Sequence, residues 1–139
     1  LTVTDLAPSI LVFASAAIMF SLSLLHLIFT FSGPKLRPRD PDLQARMEAV
    51  SPVITRQTTM WRCWIGFNAS HSLCGMLFGA IYGYLALVHG ALLFHSAYLA
   101  CVGGLLLLAY LFLGKKYWFS VPFRGIVLAS ILYAIGFVV

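Results

Sequence analysis

Four apolar runs, none containing an aspartate or glutamate, confine this chain to very few architectures. The first, Ser9 to Phe31, is about 23 residues long, enough to cross a hydrocarbon core of about 30 Å as a helix. With 61% hydrophobic and 9% charged residues, the composition lies far from that of a soluble globular domain, and at 139 residues one domain is expected. The expectation is an all-α integral membrane protein, an antiparallel four-transmembrane-helix bundle forming a single domain over 1–139. Its spans are expected at roughly 9–31, 58–88, 92–113 and 121–139, with a loop over 32–57 carrying a short amphipathic helix.

The flank Leu1 to Pro8 carries only Asp5 and no basic residue, so the first run reads as a span rather than a signal peptide. The absence of an initiator Met reads as a trimmed chain or as first residues not included. In the loop, Pro34, Pro38 and Pro41 keep the chain extended. Asp40 then reads as an N-cap, with Pro41 at the first helical position and Asp42 favourable to the positive helix end. Leu43, Met47 and Val50 give that helix an apolar side suited to a membrane surface or to a docking partner. Ser51-Pro52 repeats the start signal, and an unbroken second helix is expected from there to His89-Gly90, about 57 Å at 1.5 Å per residue. Arg56, Thr59 and Arg62 fall opposite its small-residue face. Gly90 reads as a C′ residue, and the third span as Leu92 or Leu93 to Leu113. Gly114-Lys115-Lys116 ends it, Tyr117-Trp118-Phe119 forms an aromatic belt, and Ser120 caps a fourth helix with Pro122 in its first turn.

All nine Lys and Arg fall in the loops between spans one and two and between three and four, or on their near flanks. Basic residues of short loops mark the cytoplasmic side, so both termini are expected outside. The +5 balance is therefore a matter of topology. A soluble basic face interleaved with exposed aromatics is lacking, which argues against nucleic-acid binding.

On the second helix, Trp61, Trp64, Asn68, Ser72, Gly75, Gly79, Gly83 and Ala86 fall on one face at about 100° per residue, with His71 at its edge. Helices in lipid associate through close backbone approach and interhelical hydrogen bonds, so this stripe should face other helices. Gly75, Gly79 and Gly83 form a double small-xxx-small series, and Gly125, Ala129, Tyr133 and Gly136 a weaker one. Packing is one reading of the glycines. A groove for a lipid, sterol, quinone or carotenoid, lined by Trp61, Trp64 and Tyr82, is the other.

Polar groups at membrane depth are costly, and an ionisable one is a candidate for function. Asn68, His71 and Ser72 qualify, with Trp64, as residues facing the interior, and Ser70 lies beside them. The structural alternative is that Asn68 and His71 hydrogen-bond across the bundle while the serines bond back to helix carbonyls. His26 and His71 fall at nearly the same depth, which raises b-type haem ligation; His89 and His95 near the outer ends form a second pair, for haem or a metal. Asn68-Ala69-Ser70 matches a glycosylation sequon, but one inside a span is inaccessible. Cys63, Cys74 and Cys101 show no metal-ligand spacing, and Cys63 and Cys74 are about 16 Å apart along one helix, too far for a disulfide. Without Asp or Glu in the spans, carboxylate catalysis and a proton relay have no groups to use. A lipid-modifying enzyme using His71 as acid or base would lack a carboxylate to orient it.

Leu36-Arg37-Pro38-Arg39-Asp40, Thr59-Met60-Trp61, Gly66-Phe67-Asn68-Ala69-Ser70-His71-Ser72-Leu73 and Tyr117-Trp118-Phe119 before Pro122 together resemble a family of small, functionally uncharacterised four-helix bacterial membrane proteins. The segment Trp61 to Leu73 is the specific part. The resemblance implies the fold and a bacterial inner membrane, and no activity. The expected function is that of a non-enzymatic membrane protein, surrounded by lipid, that binds a lipophilic small molecule or serves as an accessory subunit, as a homo-oligomer or in a larger complex.

Overall fold

The computed structural model describes residues 6–139, so Asp5 lies outside the described residues. These are all helix and connection, with no strand: α1 (Leu6–Phe31), α2 (Pro41–Ala49), α3 (Met60–Val88), α4 (Gly90–His95), α5 (Ala97–Tyr117) and α6 (Ser120–Gly136). Three of them, α1, α3 and α5, are long and apolar enough to cross a membrane; α6 is apolar but shorter, at 17 residues. The chain divides into two compact units, one comprising the residues up to Leu22 with Gly75–Val139, the other Ser23–Cys74.

The first unit holds the apolar core, in which Val12, Ala16 and Met19 of α1 are buried with Phe78, Tyr82 and Ala86 of α3, Leu107 and Tyr110 of α5 and Ile126, Ala129 and Tyr133 of α6. Among the buried positions of α1, 9, 12, 16 and 19 advance by three and four residues alternately, and 103, 107, 110 and 114 of α5 do the same. That mean step of 3.5 keeps one seam toward neighbouring helices along the whole length. Where helices meet most closely the residue is glycine. A Cβ on Gly79 would come within 2.6 Å of both Ala16 O and Phe20 Cβ, so α1 lies directly on the α3 backbone there. Gly125 and Gly136 of α6 likewise admit Leu22 and Val12 of α1, each within 2.8 Å of where a Cβ would stand. Gly83, by contrast, has only ordinary contacts at 3.6 Å.

In the second unit, Asp40 caps α2 by accepting from the Asp42 amide at 2.9 Å, with Pro41 opening the helix, as expected from the sequence. None of its residues is buried. The stretch after it corrects the expected continuous helix from Pro52. Instead, the Thr55 amide donates to Pro52 O, the Thr55 hydroxyl accepts from the Gln57 amide, and the Met60 amide closes the loop onto Val50 O at 2.8 Å. Thr59 then starts α3, its hydroxyl accepting from the Arg62 amide. Threonine hydroxyls that bond the backbone locally compete with helix propagation, which is why Ser51-Pro52 starts nothing.

The connection from α3 to α5 is corrected in the same way. Gly90 follows α3 in the C′ position without the left-handed conformation of a glycine cap and is at once the first residue of α4; Gly33 is the only described residue with a positive φ. The helix expected from Leu92 or Leu93 starts instead at Ala97, because the Ser96 hydroxyl accepts from the Leu99 amide and caps a new helix; it also continues past Leu113 to Tyr117. Ser120 is the first residue of α6, which Phe119 precedes as a cap position without a side-chain bond.

Candidate functional site

The polar residues singled out on α3 converge with His26 of α1 in the second unit. Asn68 donates through Nδ2 to the Trp64 carbonyl oxygen at 2.7 Å, one turn back along the helix. A carbonyl only accepts, so this bond settles the orientation of the amide and aims Oδ1 at His26, whose Nε2 lies 2.9 Å away. His26 Nε2 therefore carries a proton and donates to Asn68, and in the neutral tautomer that this bond selects Nδ1 is an acceptor. The same logic applies to His71, whose Nδ1 faces the Phe67 carbonyl oxygen at 3.2 Å and must donate to it. The two imidazoles are in contact, with ring centroids 4.6 Å apart and planes tilted by 48°.

The hydroxyls around them bond within their own helices. Ser72 donates to Asn68 O at 2.7 Å, Ser70 to Phe67 O at 3.0 Å, and Thr30 to His26 O at 2.8 Å. Asn68 and Ser72 are buried, at 8% and 0% exposure, whereas His26 and His71 are half-buried. His26 lies five residues before the end of α1, about 7 Å along the axis, so the cluster sits inside the apolar run rather than at its rim.

Trp64 departs from the expected inward position. It is 41% exposed, and its Nε1 donates to Leu36 O at 3.0 Å, tying the turn after α1 to α3. Tyr82, expected to line a groove with Trp61 and Trp64, belongs to the other unit, where its hydroxyl donates to Leu99 O at 2.7 Å. Trp61 is half-buried and lines a different cavity in the second unit.

The histidine pair does not fit haem as folded. An iron ligated by both rings, each nitrogen about 2 Å from the metal, would hold the centroids about 6 Å apart with the macrocycle between them. Rings at 4.6 Å touch directly, and His26 Nε2 is already given to Asn68. His89 faces the Tyr84 hydroxyl through Nε2 at 3.2 Å, and His95 bonds Ala91 O through Nδ1 at 2.9 Å, so each has a local partner. Among the described residues no three His, Cys, Asp or Glu side chains gather as metal ligands, and Cys63, Cys74 and Cys101 are free thiols.

One polar centre escapes a reading of single helices. Tyr82 and Tyr133 both reach the α5 backbone, Tyr133 donating to Ala100 O at 3.0 Å, because Gly103 has no side chain in their way. A Cβ there would collide with the Tyr133 hydroxyl and come within 2.8 Å of Tyr82 Cε1. Beside it, between α5 and α6, opens an apolar cleft of about 310 Å³ lined by Gly104, Leu107, Leu111, Ser130 and Phe137. The adjacent Gly103-Gly104 pair was the one sequence signal for this centre. No protein-family model matches the chain, and no curated protein or solved structure shows significant similarity to it.

Proposed function

We propose that this chain is a four-span antiparallel helical protein of a bacterial inner membrane, with both termini outside, that binds a lipophilic small molecule through a hydroxyl group and catalyses no reaction. The binding residues are His26, Asn68 and His71, with Ser72 holding the α3 backbone behind them. The observation that carries this reading is the chain of bonds from Trp64 O through Asn68 to His26, which leaves a half-buried imidazole with an acceptor nitrogen inside an apolar run. A polar group left half-open at that depth costs free energy, which a structural role alone would avoid by sealing it. An acceptor selects ligands that donate, so a quinol or a sterol fits and a hydrocarbon carotenoid does not. In support of four spans, α6 carries no charged residue after Arg124 and follows α5 after only Trp118 and Phe119, and the nine basic residues all fall near the ends assigned to the cytoplasm.

The test is native mass spectrometry and thermal unfolding of the protein after gentle detergent extraction, with quinols, the matching quinones and sterols added in turn. A saturable rise in the unfolding temperature with a hydroxyl-bearing ligand, and a smaller one with the quinone, is the expected result. If only exchangeable bulk lipid is carried and no added ligand shifts unfolding, the binding role is wrong.

A further inference from the structure

A second site lies where α1 ends. The Ser32 amide still bonds Ile28 O, after which Gly33 turns the chain with a φ of +80° and the Arg37 amide closes a turn onto Pro34 O at 3.0 Å. A side chain at Gly33 would be strained in that left-handed conformation. The turn is held against α3 by the Trp64 indole on Leu36 O, and between them lies a cavity of about 180 Å³. Phe29, Trp61 and Ile65 give it an apolar floor, and Thr30, Gly33 and Arg37 are among its other lining residues. Among the described residues no ion pair joins Arg37 to a carboxylate: the Asp40 side chain caps α2 by accepting from the Asp42 amide, and Glu48 accepts from Gln44 Nε2. A second cation stands close by, since Lys35 Nζ lies 3.8 Å over the Phe29 ring.

We infer that this cavity binds the phosphate of an anionic membrane phospholipid. An unpaired guanidinium recognises phosphate by paired donors, and the floor accepts the glycerol and the first carbons of the chains. At about 30 Å³ per water the volume holds about six waters, enough for a phosphate and part of its glycerol and too small for a whole lipid. Trp61 suits the headgroup level, and the basic loop suits the anionic cytoplasmic leaflet. The inference rests on the membrane placement proposed above but not on the histidine site.

The experiment uses the full chain extracted from membranes, with phosphatidylglycerol, phosphatidylcholine or inorganic phosphate added and lipid retention read by native mass spectrometry. Wild type should retain phosphatidylglycerol over phosphatidylcholine. Arg37→Gln should lower that preference by about fivefold or more, and Arg46→Gln, which removes a charge from exposed α2, should leave it unchanged. Arg37→Gln is expected to unfold at the wild-type temperature without lipid. Equal retention of the two lipids, equal losses from the two substitutions, or displacement of the lipid by millimolar inorganic phosphate would each overturn the assignment.

Discussion

The phenols of Tyr82 and Tyr133 and the imidazole of His26 meet the same difficulty, a polar group among apolar helices, and resolve it with different partners. In the first unit both phenols donate to backbone carbonyls of α5, at Leu99 and Ala100, and both side chains are buried. In the second, His26 donates to a side chain, Asn68, which is itself held by Trp64 O, and both histidines remain half-buried. A carbonyl in a helix cannot move away, so the phenol bonds bind elements together. A side-chain network half-open to its surroundings can exchange a partner, which is why the proposed ligand site is assigned to the second unit.

The largest way to break this contrast is through α1, which contributes to both units. Gly79→Leu drives a side chain into Ala16 O and Phe20, and the loss of stability should reach or exceed the upper end of the ~1–3 kcal/mol typical of overpacking. Thermal unfolding in detergent checks it; a Gly79→Leu protein as stable as wild type would mean that α1 does not lie on α3 there. Next, Asn68→Leu strips His26 of its acceptor and should cost about 1–3 kcal/mol, while His26→Leu combined with Asn68→Leu should recover much of that loss and still fail to bind ligand. Recovery of stability together with full binding would show the histidine to be structural only.

The neighbouring glycines of α5 sharpen the description of the first unit. Gly103→Ala should destabilise by about 1–2 kcal/mol because its Cβ meets both tyrosines, whereas Gly104→Ala meets nothing within 4 Å and should stabilise by up to about 1 kcal/mol through helix propensity. Equal effects from the two would remove the tyrosine–glycine contact from the account. Smallest is Tyr133→Phe, expected to cost about 1 kcal/mol and to leave ligand binding untouched. A change in affinity on that substitution would erase the distinction between the units.

What could be read from the sequence follows the range of the forces involved. Asp40-Pro41 predicted the start of α2 because a cap and its amide lie two residues apart. The small-residue stripe through Asn68, Ser72, Gly75 and Gly79 predicted the buried face of α3 because helical periodicity is local. Where one local signal competed with another, the reading failed: Ser51-Pro52 announces a helix, but Thr55 and Thr59 hold their own backbone in turns until Met60. Groups that depend on distant neighbours were the least legible. Depth along the helices paired His26 with His71 as possible haem ligands, and the rings do touch, yet the bond that orients His26 goes to Asn68, and Gly103 gained its role only from Tyr82 and Tyr133.

The central claim, that the histidine pair of the second unit is a binding site, is tested most directly by nitrogen-15 NMR of histidine-labelled protein titrated with a quinol. The prediction is that His26 Nδ1 shifts saturably as it accepts the ligand hydroxyl while Nε2, bonded to Asn68, keeps its proton. Unchanged His26 resonances at ligand concentrations that saturate any thermal stabilisation would place the ligand elsewhere and contradict the account.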